Sequence, residues 1–267
     1  MPSSCRRQSW VVLAIILSPA TAAVLLWAVD AQMAAMLAFL LSFVIVTIGT
    51  ILPRNAWFGR QVSRVGEPGH HIWLTIDDGP DPLTTPALLD LLDSHQAKAL
   101  FFVVGQKVLT HPELTREIAR RGHHLGNHSL SHPSSQFWSL PPWRLWREVA
   151  GCQQALQQVL GHPATWFRPP VGHHNPFLAN ILRSLGLNMM IWNCRGFDGA
   201  WRDVDAILRH IARNLRPGAI VLLHDSTPIA SEVLDRVLQL MQERGLRPTL
   251  PLEKKETELP LPFSWHP

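Results

Sequence analysis

The 267-residue chain contains no tyrosine and only three cysteines, Cys5, Cys152 and Cys194, far apart along the sequence. So sparse a set excludes a disulfide framework and any cysteine-rich zinc module. Charged residues make up only 16% and apolar residues 46%, which excludes an intrinsically disordered chain, since disorder needs low hydrophobicity and high charge. Glycine and proline follow no fixed period, so collagen and simple repeats are excluded as well. The net charge is +4, but no Lys/Arg run concentrates it, and no nucleic-acid partner is expected. Against these absences stand 11 tryptophans, a residue that lines sugar-binding surfaces, fills cores and sits at membrane interfaces.

The chain changes character near residue 55. Residues 10–28 and 33–52 form two runs without a charged side chain, each close to the ~20 residues an α-helix needs to cross the hydrocarbon core. The link between them is short and carries only Asp30, so the pair reads as an antiparallel transmembrane hairpin. Trp10 and Trp27 lie near the ends of the first run, where an aromatic belt would place them. A cleaved signal peptide followed by one anchor, or a pair of buried soluble helices, are the rival readings; the first run is longer than a usual signal core and a second follows at once. Arg6 and Arg7 precede the first run, Arg54, Arg60 and Arg64 follow the second, and the turn has no basic residue. The positive-inside bias then puts both ends on the cytoplasmic side of a bacterial inner membrane.

The expected organisation is a membrane segment over residues 1–55, a linker over 56–69, a catalytic domain over 70–248 and a proline-rich tail over 249–267. Within the domain, β-rich runs at 71–76, 99–104, 124–126, 165–167, 189–192, 219–223 and, weakly, 247–250 alternate with helical patterns near 85–95, 113–121, 143–160, 176–185, 203–215 and 229–244. Such alternation predicts parallel βαβ units: an α/β fold, a closed or nearly closed β/α barrel, with a doubly wound open sheet as runner-up.

Polar residues gather where the predicted strands end: Asp77-Asp78-Gly79-Pro80, His128 to His132, Arg168-Pro169-Pro170-Val171, Asp198, and His224-Asp225. In β/α folds the C-terminal strand ends carry the site. Adjacent aspartates on a strand point to opposite sides, so one can bind a metal while its neighbour stays free as a base. His128 and His132 would share a face if their segment were a helical turn. Two histidines and a carboxylate leave coordination positions open, as a hydrolytic metal site requires.

These five clusters resemble, in order, the motifs of the polysaccharide deacetylases that share the NodB homology domain (carbohydrate esterase family four). Thr75 to Pro80 is similar to the first motif, Asn127 to Pro133 to the second, Arg168 to Gly172 to the third, Asp198 to the aspartate of the fourth, and Leu222 to Asp225 to the fifth. The resemblance implies a distorted (β/α)7-type barrel and a metal-dependent hydrolase that removes an N-acyl group, acetyl above all, from an amino sugar. It implies Asp77 as general base, Arg168 as its partner, His224 as general acid and Asp198 as the group that orients it. Asp78, His128 and His132 would hold a divalent metal, zinc first, with Co2+, Ni2+ or Mn2+ as alternatives. The Val171 N–H would face the oxyanion and Leu222 would wall the acyl pocket.

The chain departs from the family pattern at three places. Val171 replaces a tyrosine, Arg195 stands for the first aspartate of the fourth motif, and Gly199 stands for its tryptophan, which Trp201 is near enough to replace. Trp138, Trp143 and Trp146 read as a sugar platform, a membrane-contacting face or helix packing, and His173 and His174 as sugar or phosphate contacts or a surface loop. The expected substrate is an amino sugar in a glycan or a lipid-linked saccharide: with a membrane hairpin and a cytoplasmic domain, a polyprenyl-carried amino sugar, with a deformylase of such a substrate as an alternative; with an outward-facing domain, peptidoglycan or an exported polysaccharide. A non-catalytic, membrane-anchored sugar-binding protein is the reading from another class. Paired C-terminal fusions test the topology: fluorescent protein should glow and alkaline phosphatase stay inactive, and the reverse pattern would place the domain outside.

Overall fold

The computed structural model describes residues 31–53, 59–66 and 69–251, together with Pro19, residues 21–24 and Trp27. The first apolar run therefore lies mostly outside the described residues, as does the tail beyond 251; the described part of that run is helical. The second run forms α1 (Gln32–Ile51), long and apolar enough to be a membrane span or a signal sequence. Of its side chains only Ala35, Gly49 and Thr50 are buried, while Met33 is 74% and Phe39 66% exposed. A helix with apolar residues on every face suits hydrocarbon rather than water.

Nine parallel strands form one curled sheet: β1 (Gln61–Val62), β2 (His71–Gly79), β3 (Leu100–Val103), β4 (His124–Asn127), β5 (Trp166–Phe167), β6 (Asn188–Met190), β7 (Cys194–Arg195), β8 (Ile220–His224) and β9 (Arg247–Pro248). The spatial order is β1-β6-β5-β4-β3-β2-β8-β7, with β9 pairing the start of β2. No ladder joins β1 to β7 among the described residues, so the sheet is an incomplete barrel. The helices between strands are α2 (Thr85–Ser94), α3 (Gly105–Thr110), α4 (Pro112–Arg120), α5 (Pro142–Leu160), α6 (Leu178–Ser184), α7 (Val204–Asn214) and α8 (Ala230–Glu243). The expected elements are present to within a few residues. Strands β1 and β7 are two residues long and α3 only six, too short for a periodicity to register, and β1 falls in the stretch read as a linker.

Local chemistry sets the boundaries. Helix α5 has Pro142 in its first turn, where a missing N–H costs nothing, and stops at Gly161, whose φ of 85° suits a residue without Cβ. Asp203 caps α7 by accepting the Ala206 N–H at 3.0 Å.

Strand β2 is buried on both faces, and its alternation separates two cores. Ile72, Leu74 and Ile76 join Phe101, Val103, Val221 and Leu223 under the helices. Trp73 faces the barrel interior with Leu100, Phe102, Trp166, Met190 and Ile220. The parallel register sets Asp77 beside Phe102 on β3 and His224 on β8. The interior layer is thus apolar at the bottom and becomes ionisable at the C-terminal mouth.

His123 illustrates a structural histidine. Its Nδ1 accepts the Ala99 N–H at 3.2 Å and its ring meets Phe101 edge-on, 5.5 Å between centroids. Burial, helped by the Lys98 charge, lowers its pKa from 6.5 to about 4. The folded state therefore resists protonation: the stability contribution is complete above the unfolded pKa and is lost as pH falls from about 6.5 towards 4, by at most ~3 kcal/mol. Urea unfolding at pH 7 and pH 4.5 should show the parent losing ~2 kcal/mol more than His123→Asn, which keeps an acceptor for Ala99; equal losses would remove His123 from the acid response.

Candidate active site

The side chain on which the mouth is built is Arg168, delivered from the end of β5 and fully buried. Its Nη1 donates to Asp77 Oδ1 at 2.6 Å and to Thr75 Oγ1 at 2.7 Å. The guanidinium lies 4.2 Å from the centre of the Phe102 ring, a cation–π contact worth ~2 kcal/mol when desolvated. Burial lowers the Arg168 pKa, opposed by the charge and hydrogen bond of Asp77. Held through Oδ1, Asp77 presents Oδ2, which lies 3.7 Å from His128 Nε2.

The backbone carbonyl of Arg168 has a separate task. It accepts from His128 Nδ1 at 2.8 Å. A carbonyl cannot donate, so Nδ1 carries the proton and Nε2 presents its lone pair. His128 Nε2 lies 3.4 Å and His132 Nε2 3.2 Å from Asp78 Oδ1. All three ligand atoms fall within 4.8 Å of one another. Asp78 Oδ1 is buried and has no hydrogen-bond donor. Burial would raise the Asp78 pKa, but the neighbouring imidazoles, His128 foremost, then His132 and His224, hold it far below the carboxylate range. Burial, with the charge of His128, lowers the pKa of His132. An ionised oxygen without a donor, facing two imidazole nitrogens, fits a divalent cation of borderline softness, and one nitrogen carries the oriented hydrogen bond that metal-binding imidazoles need.

Two expectations about this cradle need correction. The alternation rule holds to Asp77 but fails at Asp78. There the β2–β3 register shifts between Asp77 and Gly79, and Asp78 has φ 75°, a bulge that re-aims its side chain into the mouth. The two aspartates do take different partners, but through the bulge rather than by facing opposite sides. Nor is the His128–His132 segment a helical turn. It is an irregular loop with Ser129 at φ 68° and His132 at φ 54°. Side chains shape it: Asn127 Oδ1 accepts the Ser129 N–H at 2.9 Å, Ser129 Oγ accepts the His132 N–H at 3.1 Å, and the buried Glu148 of α5 accepts Ser131 N–H and Oγ–H at 2.8 and 2.7 Å.

His224 stands at the end of β8, in register with Asp77. Its Nδ1 lies 3.1 Å from Asp198 Oδ1, and its backbone N–H donates to Asp198 Oδ2 at 2.7 Å. Burial would lower the His224 pKa, but the hydrogen bond and charge of Asp198, with Asp77 and Asp78, outweigh it and raise it to about 9. The imidazole is then cationic at neutral pH. Gly199 closes against this ring: a Cβ there would meet His224 Nδ1 and Cε1 at 3.2 Å.

Val171 has φ 50° and ψ 14°, a left-handed conformation that a β-branched residue adopts only under constraint. Leu222 is buried with Ile191 and Trp192 on the interior face. Trp201 is half-exposed and stacks on Phe197 at 5.0 Å, edge-on to His210. Trp138 bonds the Ser135 carbonyl, while Trp143 and Trp146 are exposed. His174 is no sugar contact: fully buried, it donates its backbone N–H to the Thr50 carbonyl at 2.7 Å and places Nε2 2.9 Å from the Pro53 carbonyl.

Sequence reasoning missed several supporting side chains. Glu148, Thr75 and Lys107, whose Nζ donates to the Asp78 carbonyl at 2.8 Å, lie distant in sequence from what they hold. Asp225 was legible only as motif text; buried, it accepts from Thr84 Oγ1 at 2.6 Å and from Thr85, and Gly79 leaves no room for a Cβ beside it.

An incomplete parallel β/α barrel that sets a His2Asp cation cradle beside an anchored aspartate and a cationic histidine has the build of a hydrolase. Comparison with known proteins narrows this. The sequence profile of the polysaccharide deacetylases matches residues 64–190. A chitooligosaccharide deacetylase of Azorhizobium caulinodans is 31% identical over 63% of this chain and 80% of its own length. A peptidoglycan-N-acetylglucosamine deacetylase of Bacillus cereus is 31% identical over 66% of this chain and 84% of its own. A family 4 carbohydrate esterase from Streptomyces lividans, solved with acetate, superposes with a TM-score of 0.63 at 30% identity, over 68% of this chain and 92% of that one. A mutant of a family 4 pseudoenzyme with restored activity gives 0.65 at 26% identity, over 70% and 68%. The chain belongs to the polysaccharide deacetylase family.

The cradle's dependence on its loop is testable. Glu148→Ala, which frees Ser131, should weaken zinc binding by roughly 10–100-fold in competition with a chromophoric chelator, and Glu148→Gln should retain most of the affinity. Parent-like affinity in Glu148→Ala would show that the loop holds its shape without α5.

Proposed function

We propose that this protein hydrolyses the N-acetyl amide of an amino sugar, using a divalent cation held by Asp78 Oδ1 and the Nε2 atoms of His128 and His132. The observation that carries the reading is the pairing of two differently anchored groups, Asp77 on Arg168 and His224 on Asp198, at neighbouring register positions of β2 and β8 beside that cradle. The cation would supply Lewis acidity toward the acyl carbonyl and the attacking water.

The chain's own residues supply the rest. Asp77 takes the proton of the attacking water on Oδ2, because Oδ1 is committed to Arg168. The new C–O bond puts charge on the acyl oxygen, which the Val171 N–H, in the turn after Arg168, would stabilise. His224 gives its proton to the sugar nitrogen as the C–N bond breaks, and Asp198 stabilises the imidazolium until then. Leu222, with Ile191 and Trp192, limits the acyl pocket to a small group. The products are a free amine and acetate.

The named relatives act on chitooligosaccharide and peptidoglycan sugars, which supports an acetylated amino sugar here. The arginines that flank the apolar runs support a two-span hairpin with the domain on the cytoplasmic side, and that placement favours a polyprenyl-carried saccharide as substrate. A formyl group would fit the same small pocket, and the released acid distinguishes the two. A pseudoenzyme among the structural neighbours warns that the fold alone does not secure turnover. Here the full set of Asp77, Asp78, His128, His132, Arg168, Asp198 and His224 favours an enzyme over a sugar-binding protein.

The zinc-loaded, full-length protein in detergent should release acetate from N-acetylated sugars, free or polyprenyl-linked. Asp77→Asn should keep its zinc and lose turnover by at least about a hundredfold. Retained turnover would remove Asp77 as the base, and absence of both zinc and acid in the parent would favour the binding protein.

A further inference from the structure

Exposed large apolar side chains are not spread over this domain. Among the described residues, outside the N-terminal segment and Val171, they are Leu83 (88% exposed), Leu109, Trp143, Trp146, Phe177 and Trp201. Leu83 follows β2, Leu109 follows β3, both tryptophans of α5 follow β4, Phe177 follows β5 and Trp201 follows β7. All therefore belong to segments that leave the C-terminal ends of the strands, the end that carries the site. None of the described connections entering the strands from the opposite end exposes such a side chain.

Two further observations say what covers this face. Trp143, Trp146 and Trp201 are each followed by an exposed arginine, Arg144, Arg147 and Arg202, and tryptophan with arginine is the composition that settles at an anionic membrane–water boundary. The apolar helix α1 also ends at this face. The Thr50 and Pro53 carbonyls bond His174, in the same β5–α6 segment as Phe177, and a Cβ on Gly172 would meet Pro53 at 3.0 Å. The Thr50 and Pro53 bonds tie the end of this segment to the domain, while apolar side chains nearer the start of α1, among them Met33, Leu37 and Phe39, are exposed.

We infer that the catalytic mouth rests on the lipid headgroup layer, with Leu83, Trp143, Trp146, Phe177 and Trp201 dipping into it around the site opening. The inference deepens the proposed function, on whose reading of α1 as a membrane span it rests: the amino sugar would be met at the bilayer, as the headgroup of an amphiphile, rather than drawn from bulk solution as a polymer. A face made only to grip a soluble glycan would have no need of an aliphatic tip such as Leu83, distant in the chain from the Trp–Arg pairs.

The test uses the full-length protein with Cys5→Ser, in which Cys152 and Cys194 are buried and their thiols pushed up to about 12. Single cysteines at Leu83 and Trp143, and at exposed Glu243 on the far end of α8, carry an environment-sensitive NBD label. The protein is placed in phosphatidylethanolamine–phosphatidylglycerol vesicles. Labels at 83 and 143 should shift to the blue on transfer from detergent, be quenched by spin-labelled lipid and be shielded from aqueous iodide; the label at 243 should do the reverse. If 83 and 143 behave like 243, the mouth faces water and the inference is overturned. A second arm compares Leu83→Asp with the parent. Acid release from a vesicle-borne acylated glycolipid should fall by at least about tenfold while release from a soluble chitooligosaccharide is unchanged; equal rates on the glycolipid would overturn it as well. The labelling needs no turnover, so a failed deacylase reading and a failed membrane contact give different results.

Discussion

A guanidinium sealed inside the barrel is the constraint on which the rest of the site depends. Taking Arg168 out of water costs several kcal/mol, and the cost is offset only if Asp77, Thr75 and the Phe102 ring are in place. Breaking such a buried pair from one side typically costs ~3–5 kcal/mol, because the survivor is left charged and dry. The residue also couples two halves of the chemistry. Its side chain selects which oxygen of Asp77 is free, and its carbonyl selects which nitrogen of His128 is free. One position at the end of β5 thus fixes both the Asp77 oxygen proposed as base and the His128 nitrogen proposed as cation ligand.

Around that pair the backbone is held in conformations it would not choose. Asp78, Ser129, His132 and Val171 all have positive φ, and all line the mouth. Each such residue costs of order 1–3 kcal/mol and persists only where its surroundings over-determine it. The surroundings are visible: Lys107 on the Asp78 carbonyl, Asn127 and Glu148 on the histidine loop, and a 3-10 turn around Val171. The regular elements therefore provide the rigidity, and the short irregular segments between them spend it on aim.

This division explains what could be read from the sequence. The long strand at 71–79 and the helices at 142–160 and 230–243 announce themselves through periodicity and through breakers such as Gly161. The residues proposed to ligate and to transfer protons were legible as a group because they fall where strands end. What escaped was produced by tertiary contact: the bulge that turns Asp78 inward, the loop that brings His128 and His132 together without a helix, and the use of His174 to hold the Thr50 and Pro53 carbonyls. A two-residue strand such as β7 is defined by its neighbours, so Asp198 could be placed after a strand but not after the right one. Gly199 reads in sequence as a lost aromatic; in the structure it is the space in which the His224 ring sits.

The two buried thiols carry a consequence for where such a domain can work. Cys152 lies on the buried face of α5 and Cys194 in the edge strand β7, their pKa values pushed up to about 12 by burial, so neither presents a thiolate at neutral pH. Without a thiolate there is no disulfide exchange and little oxidation. The folded domain is accordingly indifferent to redox potential, as serviceable in an oxidising periplasm as in a reducing cytosol. Nothing in the barrel's thiol chemistry would need repair for the domain to work on either side of a bilayer.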